Sequence, residues 1–531
     1  MQHQVIPFDT TKRFSKIVTD YISGADALKP FYAWSPEFAS FPAIIEGKSK
    51  ESIDRKALVT MLRKQYAGIN IIDAVANNIN AFAKENTFCV VTAHQVNLFT
   101  GPLYYLIKTA STIQLCNTLN KQFPNFRFVP VFWQGSEDHD FAEINHAHIF
   151  NKTFTWETDQ RGATGRFSLK DAQPLVQELL SMLGDGPYAK EMHHILSDAY
   201  LNGGTLADAG RKMLNALFGK YGLVVVNGDD HYAKTVFANI MEDELLNSSS
   251  VSLVNKTIAQ FPYEAQAHPR DINLFYLDNH GRNRIIADEK HEMFLVKDTD
   301  VTMTREEILY QLREFPERFS PNVILRPVFQ QKLLPSVAFI GGGGEIAYWM
   351  QLKSVFEYHQ VQYPMLLMRD SFMIIDHATN KKIQKLQLNI TDLFEDVSGL
   401  TGEYVRRNSG IALQLDAEKA VLAKMIEGLK EKAKLIDSSL DSAVMAEGQA
   451  MLNSLHKLES KLLKAEKGKM EVQLTQLTGI LNKLFPSGGL QERYDNMIPW
   501  YLRFGPSLIE ELIANSCQPA AAFHILTEEM A

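Results

Sequence analysis

At 531 residues the chain is too long for one ordinary core, so a large domain and at least one companion are expected. Hydrophobic residues at 45% and charged residues at 22% give a globular balance, and the net charge of −8 argues against a general nucleic-acid binder. No apolar run is long enough to span a bilayer and the N-terminus lacks a signal-peptide core; the scattered Cys89, Cys116 and Cys517 read as reduced thiols of a cytoplasmic protein.

Residues 1 to 85 read as mostly helical, with one amphipathic pattern at Ala57, Leu58, Met61 and Leu62 and another at Ile71, Ile72, Val75, Ile79 and Phe82. Phe88 to Val91 is a short, β-branched apolar run that suits a buried strand. The chain then turns polar at His94, Gln95 and Asn97, bends at Gly101-Pro102 and continues with helical spacing from Leu103 to Leu115. A second apolar run, Phe128 to Trp133, ends in Gln134-Gly135-Ser136-Glu137-Asp138-His139-Asp140. Strand, polar loop, helix, strand and polar loop make one βαβ unit, whose polar loops lie at the carboxyl ends of parallel strands, where open α/β sheets bind ligands. Cys89 and Cys116 fall within this strand and helix and read as core residues.

Residues 151 to 205 form an excursion from the core, followed by a helix over Leu206 to Tyr221. Leu223 to Val226 is a third buried strand, ending in Asn227-Gly228-Asp229. A helix follows, then a second, strand-rich excursion near 260 to 318 with a turn at Asp278-Asn279-His280-Gly281. The pattern returns with a strand-like run, Val323 to Gln330, and another strand at Val337 to Ile340. That strand enters Gly341-Gly342-Gly343-Gly344-Glu345 and a helical pattern containing Tyr348 and Trp349; glycines between strand and helix let backbone N–H groups approach an anion. Met365 to Met368 closes the sheet.

From Ile383 the texture changes. Leu422, Met425, Leu429, Lys432 and Ile436, then Met451, Leu455, Leu458, Leu462 and Ala465, recur in steps of three and four, as in two long helices packed as an antiparallel, heptad-like hairpin. The expected organisation is a Rossmann-like α/β core over 1–382 with insertions near 151–205 and 260–318, a helical coiled-coil arm over 383–485, and a segment, 486–531, docking on the core. The arm makes a homodimer the expectation.

The strand ends gather His94, Gln95 and Asn97, then Glu137 to Asp140, then Asn227 and Asp229, then Arg326 and Gln330, above the glycine turn. Arg326 suits a carboxylate through bidentate pairing. Carboxylates and histidines from Glu137 to His148 could ligate a cation, but their spacing matches no zinc signature, and acid–base or substrate-binding work is the better reading; no metal site is assigned. Asp138 or Asp140 would also suit a helix cap before Phe141, and Trp349 suits plain core packing. Standard ATP fingerprints, GxxxxGK[ST] and GxGxxG, are absent from the sequence.

Several blocks carry a resemblance. They are His94-Gln95-x-x-Leu98-Phe99-Thr100-Gly101-Pro102-Leu103-Tyr104, Val131-Phe132-Trp133-x-x-x-Glu137-Asp138-His139-Asp140-Phe141, Ser320-Pro321-Asn322-Val323-x-x-Arg326-Pro327-x-x-Gln330, Gly344-Glu345-Ile346-Ala347-Tyr348-Trp349-x-x-Leu352-Lys353 and Leu490-Gln491-Glu492-Arg493. Together they resemble, collinearly and over nearly the whole chain, the cysteine ligase family of bacillithiol biosynthesis. The family often has Gly-Gln-Gln where this chain has Ala93-His94-Gln95, which leaves the role of His94 open.

The resemblance implies a Rossmann-like core with a C-terminal coiled coil. It also implies addition of cysteine to glucosaminyl malate, with ATP activating the cysteine carboxylate and Mg²⁺ as a candidate companion ion. No HIGH-like pair is visible, so adenylate and acyl phosphate both stay open. With that reaction in view, Asp138, His139 and Gln95 are the candidate catalytic residues, Asp138 or His139 lying near the attacking amine. Asn97, Tyr104, Trp133, Asn227, Arg326, Gln330 and Tyr348 are candidates for substrate binding. His94, Gly342, Gly343, Gly344, Glu345, Gln491 and Arg493 are candidates for the nucleotide or another anion. The alternatives are another nucleotidyltransferase-like small-molecule enzyme and a non-catalytic coiled-coil scaffold; no nucleic acid or membrane partner is expected.

Overall fold

The computed structural model describes residues 1–278, 281–411 and 413–529. Asn279 and His280, at the expected turn of the second excursion, lie outside the described residues. The chain divides into two compact units. The first comprises 1–9, 13–373 and 490–526; the second comprises 10–12, 374–489 and 527–531.

At the centre of the first unit is a five-stranded sheet. In spatial order its strands are Met365–Met368, Ser336–Gly341, Thr87–His94, Arg127–Gln134 and Val224–Asn227, every pairing parallel. Numbered by chain position this is the order 5-4-1-2-3, a Rossmann-like arrangement whose switch point lies between Thr87–His94 and Ser336–Gly341. The central strand is buried on both faces, as its unbroken apolar run requires. Phe88 and Val90 pack with Phe41 and Ile44 of one helix, Leu115 of helix Tyr104–Gln122, and Ile340 and Leu367 of the neighbouring strands. Cys89 and Cys116 are buried in this core.

One expected strand is not there. Val323 to Gln330 enters helix Arg326–Leu333 instead. Asn322 turns the chain by accepting the Ile324 N–H at 2.8 Å, and Pro327 stands in the first helical turn, where its missing N–H costs nothing. The strand in this region is the short Phe319–Pro321. It closes a second, antiparallel five-stranded sheet built from the excursion, in the order Thr302–Thr304, Met293–Val296, Gly281–Ala287, Leu274–Asp278 and Phe319–Pro321.

The second unit is helical. Asp416–Ile436 and Leu440–Lys469 pack as a hairpin beside Glu471–Leu484. Helix His377–Lys385, whose first residues fall inside the core span expected from sequence, belongs to this unit and packs on Glu471–Leu484. The hairpin seam also differs in phase from the expected stripe. Its less exposed positions are 419, 422, 426, 430 and 433, then 441, 444, 448, 452, 455, 459, 463 and 466. Steps of 3, 4 and 4 make an eleven-residue repeat rather than a heptad. Most of the expected stripe, including Met425, Leu429, Ile436, Met451, Leu458 and Leu462, is exposed. Gly448 lets the helices meet closely, because a Cβ there would lie 2.7 Å from Ile426. No helix among the described residues is long and apolar enough to cross a membrane.

Candidate active site

A cleft of about 730 Å³ opens at the carboxyl edge of the parallel sheet, over the switch point, and all its lining residues belong to the first unit. Ala93, His94 and Gln95 reach it from the central strand, Gly135, Glu137 and Asp138 from the next, and Gly342 to Glu345 from the glycine turn. The antiparallel sheet adds Arg282 and Arg284. Six arginines line the cleft against four carboxylates, in a chain whose net charge is −8. This local excess of positive charge suits an anionic ligand.

Asp138 stands at the centre of one polar network. Its Oδ2 accepts from Gln95 Nε2 at 2.7 Å, and the same amide donates to Glu143 Oε2 at 2.8 Å. Its Oδ1 accepts the His139 N–H at 2.7 Å and lies 3.7 Å from Arg282. Burial opposes ionisation of Asp138, but His139, Arg282 and Gln95 outweigh it and hold the carboxyl well below the usual range. Asp138 therefore shapes its own loop, and Asp140, at the cap position before Phe141–Ile144, makes no capping hydrogen bond. His139 is half exposed on the rim and does not line the cleft. Its Nδ1 lies 3.1 Å from Arg282 Nη1. The same Nδ1 lies 3.6 Å from Asp138 Oδ1, so the ring stands between the carboxylate and the guanidinium.

Arg282 was not a candidate from sequence. It lies in the excursion, away from any strand end of the parallel sheet. Its guanidinium stacks on Phe275 with 4.0 Å from its carbon to the ring centre, and it donates to Ser320 Oγ and the Pro321 carbonyl at 3.0 Å each. The alternation Arg282-Asn283-Arg284 was the available signal: it sets two arginines on one face of a strand.

His94 is held on both sides. Its Nδ1 meets Asn97 Oδ1 at 2.9 Å and its Nε2 meets the Tyr104 hydroxyl at 3.0 Å. An amide oxygen only accepts, so Nδ1 carries the proton and Nε2 accepts from Tyr104. Burial, helped by the Lys108 charge, pulls the ring down to about 4, and burial pushes Tyr104 up to about 12. His94 is thus a neutral support for Tyr104, with no donor left for an anion, and Asn97 is buried behind it.

The glycine turn is partly self-satisfied. Glu345 Oε2 accepts the Gly342 N–H at 2.8 Å and Lys108 Nζ at 2.7 Å. Burial works against the Glu345 charge, while Lys108 and the Gly342 N–H hold it below the usual range. One donor expected to face a ligand is therefore taken; Gly343 and Gly344, the first residues of helix Gly343–Met350, also line the cleft.

Arg326 lines the cleft from the start of its helix and donates to Gln330 Oε1, one turn on, at 3.1 Å. Its Nη2 and the Gln330 Nε2 are buried donors without an acceptor. Gln330 is fully buried behind the arginine, and Tyr348 lines the cleft near Arg326. Trp349 is core: it stacks on Phe339 at 4.3 Å between ring centres. Arg369 leaves strand Met365–Met368, donates to Glu492 at 2.7 Å and lies 5.5 Å from the Tyr104 ring centre. Arg493 is beside it; burial and the Arg369 charge lower it from its ordinary value.

Not every candidate converges. Gln95, Tyr104, Trp133, Asp138, Arg326, Tyr348 and Arg493 line one cleft. Asn227 sits behind it, its Oδ1 accepting from Ser136 Oγ and the Asp229 N–H. Asp229 is taken by a two-pronged Arg166 pair at 2.6 Å on each prong. Gln491 is buried beside Glu492 and does not line the cleft.

Comparison with known proteins accounts for almost the entire chain. A family model described as "Bacillithiol biosynthesis BshC, N-terminal Rossmann-like domain" matches residues 1–370, and its companion, "Bacillithiol biosynthesis BshC, C-terminal coiled-coil domain", matches 372–528. A Flavobacterium psychrophilum protein named "Putative cysteine ligase BshC" is 39% identical over 99% of both chains. Proteins of the same name from Flavobacterium johnsoniae and Cytophaga hutchinsonii are 37% identical over 99% of this chain and 100% of theirs, and 38% identical over 96% and 95%. Two domain models in tandem, full-length relatives and a Rossmann-like core followed by a coiled coil agree: the chain belongs to the BshC family of bacillithiol biosynthesis.

Proposed function

We propose that this protein is a ligase joining cysteine to the amine of glucosaminyl malate, with ATP activating the cysteine carboxylate and bacillithiol as the product. The observation that carries the reading is the arginine-rich cleft at the switch point of a BshC-family core. A carboxylate is a poor electrophile. Transfer of an adenylyl or phosphoryl group from ATP to its oxygen creates a leaving group, releasing pyrophosphate or ADP. The sugar amine then attacks the carbonyl carbon, and AMP or phosphate departs as the amide forms. Mg²⁺ enters with the nucleotide in this scheme.

The unpaired donor of Arg326 suits a malate carboxylate. Arg369 and Arg493, which line the same cleft as Gly343 and Gly344, suit phosphate oxygens. Asp138, held ionised, suits the substrate ammonium group before it loses its proton. Because His139 stands outside the cleft lining, proton acceptance passes to Glu143, which shares the Gln95 amide with Asp138 and lines the cleft. The reading places the enzyme in the cytoplasm, with ATP, and pairs two copies through the helical arm. The arm's support is an exposed apolar groove lined by Val421, Met425, Met451 and Leu458.

The test is incubation with cysteine, ATP, magnesium, a reductant and glucosaminyl malate, followed by mass spectrometry. The thiol product is expected from the intact enzyme, with Asp138→Asn slowed by about 10²-fold or more and His139→Ala much less affected. No thiol product from the intact enzyme would overturn the substrate assignment and leave the wider nucleotidyltransferase-like class.

A further inference from the structure

Cys517 has no part in the chemistry above, yet it is not an isolated thiol. Among the described residues, Asp370, Cys517 and His524 bring one ligand atom each within 4.8 Å of one another. All three belong to the first unit, and none lines the cleft. Asp370 follows strand Met365–Met368, and His524 lies on strand Phe523–Thr527.

We propose that Asp370, Cys517 and His524 form a three-ligand site for a thiophilic divalent cation, zinc by its donor set. The spacing is the first reason. Cys517 Sγ lies 3.6 Å from His524 Nε2 and 3.5 Å from Asp370 Oδ1, and these last two atoms are 3.1 Å apart. Zinc bonds of about 2.3 Å to sulfur and about 2.0–2.2 Å to nitrogen and oxygen, at tetrahedral angles, put such donors about 3.6, 3.6 and 3.3 Å apart. The three observed separations fall close to those values.

The surroundings are the second reason. A metal-bound histidine is oriented by a partner on its other nitrogen, and a metal-bound carboxylate by hydrogen bonds to its free oxygen. His524 Nδ1 faces His3 Nε2 at 2.9 Å. Asp370 Oδ2 accepts from Ser111 Oγ at 2.9 Å and Gln518 Nε2 at 3.0 Å. The Ala522 N–H, at 3.2 Å, also meets Oδ1. Asp370 and His524 are fully buried, whereas Cys517 is exposed. The fourth corner therefore belongs to water on the cysteine's open side. Three protein ligands with one exchangeable position is a known zinc stoichiometry.

The competing arrangement is a metal-free cluster in which the thiol donates to the Ala520 carbonyl, 3.1 Å away. Cobalt(II) separates the two. The full-length protein, stripped with chelator under reductant, is titrated with Co²⁺. One equivalent should produce tetrahedral ligand-field bands and a thiolate-to-cobalt charge-transfer band, both removed by Zn²⁺. Cys517→Ser should fold normally and lose the charge-transfer band. Survival of that band, or no uptake of either metal below micromolar concentration, overturns the site. A second measurement needs no variant: one equivalent of Zn²⁺ should slow alkylation of Cys517, followed by mass spectrometry, by about tenfold or more, since the metal holds the thiolate. An unchanged rate overturns the proposal. Neither readout depends on ligase activity.

Discussion

In the first unit Lys234 is sealed from solvent against Glu137, and Arg369 against Glu492, each pair nearly dry. In the second, Lys419 meets Glu459 on a helix flank, while Met425, Leu429 and Leu435 stand in water, Leu435 at 88% exposure. A buried ion is costly unless its partner and hydrogen bonds are in place, so the first unit holds a set of charges that must all be right together. An exposed apolar side chain costs little folding stability, but a contiguous row of them invites a partner. The first unit places its charges in a buried, mutually dependent set, and the second leaves an apolar row on its surface.

Four measurements test that contrast. Lys234→Ala leaves Glu137 buried and alone, and urea unfolding should show a loss of ~3–5 kcal/mol. A loss near that of an ordinary surface substitution would mean the pair is not load the fold depends on. Arg326→Ala should weaken binding of the malate-bearing amino sugar by ~2–5 kcal/mol, measured by calorimetry or as a raised KM. Unaltered kinetics would remove Arg326 from the site.

The third concerns acid. His94 titrates at about 4 in the fold against 6.5 for the free side chain, so the unfolded chain takes up a proton first as pH falls. This contribution is complete above pH 6.5, declines as pH drops toward 4 and is spent below it. Its size is on the order of 3 kcal/mol. His94→Gln should flatten that part of the stability profile measured against urea; an identical slope would show that the ring is not held neutral. The smallest effect on folding should come from Met425→Glu with Leu458→Glu, within ~0.5 kcal/mol of the parent because both side chains already face water. Light scattering should nonetheless register a change from dimer to monomer, with a variant lacking 415–470 as the control. An intact protein that is already monomeric at micromolar concentration would make the arm a solitary hairpin.

The strands of the parallel sheet were legible because each is a short apolar run ending abruptly in polar residues, as at Val226-Asn227. That pattern also located Gln95, Asp138 and the glycine turn at one edge. It failed at Val323 to Gln330, where a proline after Arg326 started a helix that the apolar content concealed. Arg282 was hidden because a β excursion reads as decoration until its strands are seen to wall the cleft. Lys234 was hidden among apolar neighbours on a helix, and only the fold brings Glu137 to it. In the arm the helices were readable but their phase was not: steps of three and four occur in both seven- and eleven-residue repeats, and Leu or Met fits either face of a long helix.

The first unit is completed by a segment, 490–526, that lies beyond the whole helical arm in the chain. Arg369 finds its carboxylate, Glu492, 123 positions later. On a ribosome moving at about 5–20 residues per second, that gap lasts roughly 6–25 seconds. During this interval the nascent core carries a guanidinium whose counter-ion has not been made, and helix Tyr104–Gln122 waits without helix Ser507–Asn515, which packs on it. The arm is thus a delay line in synthesis: the unit that holds the cleft is started first, yet completed only after the long helices have been made.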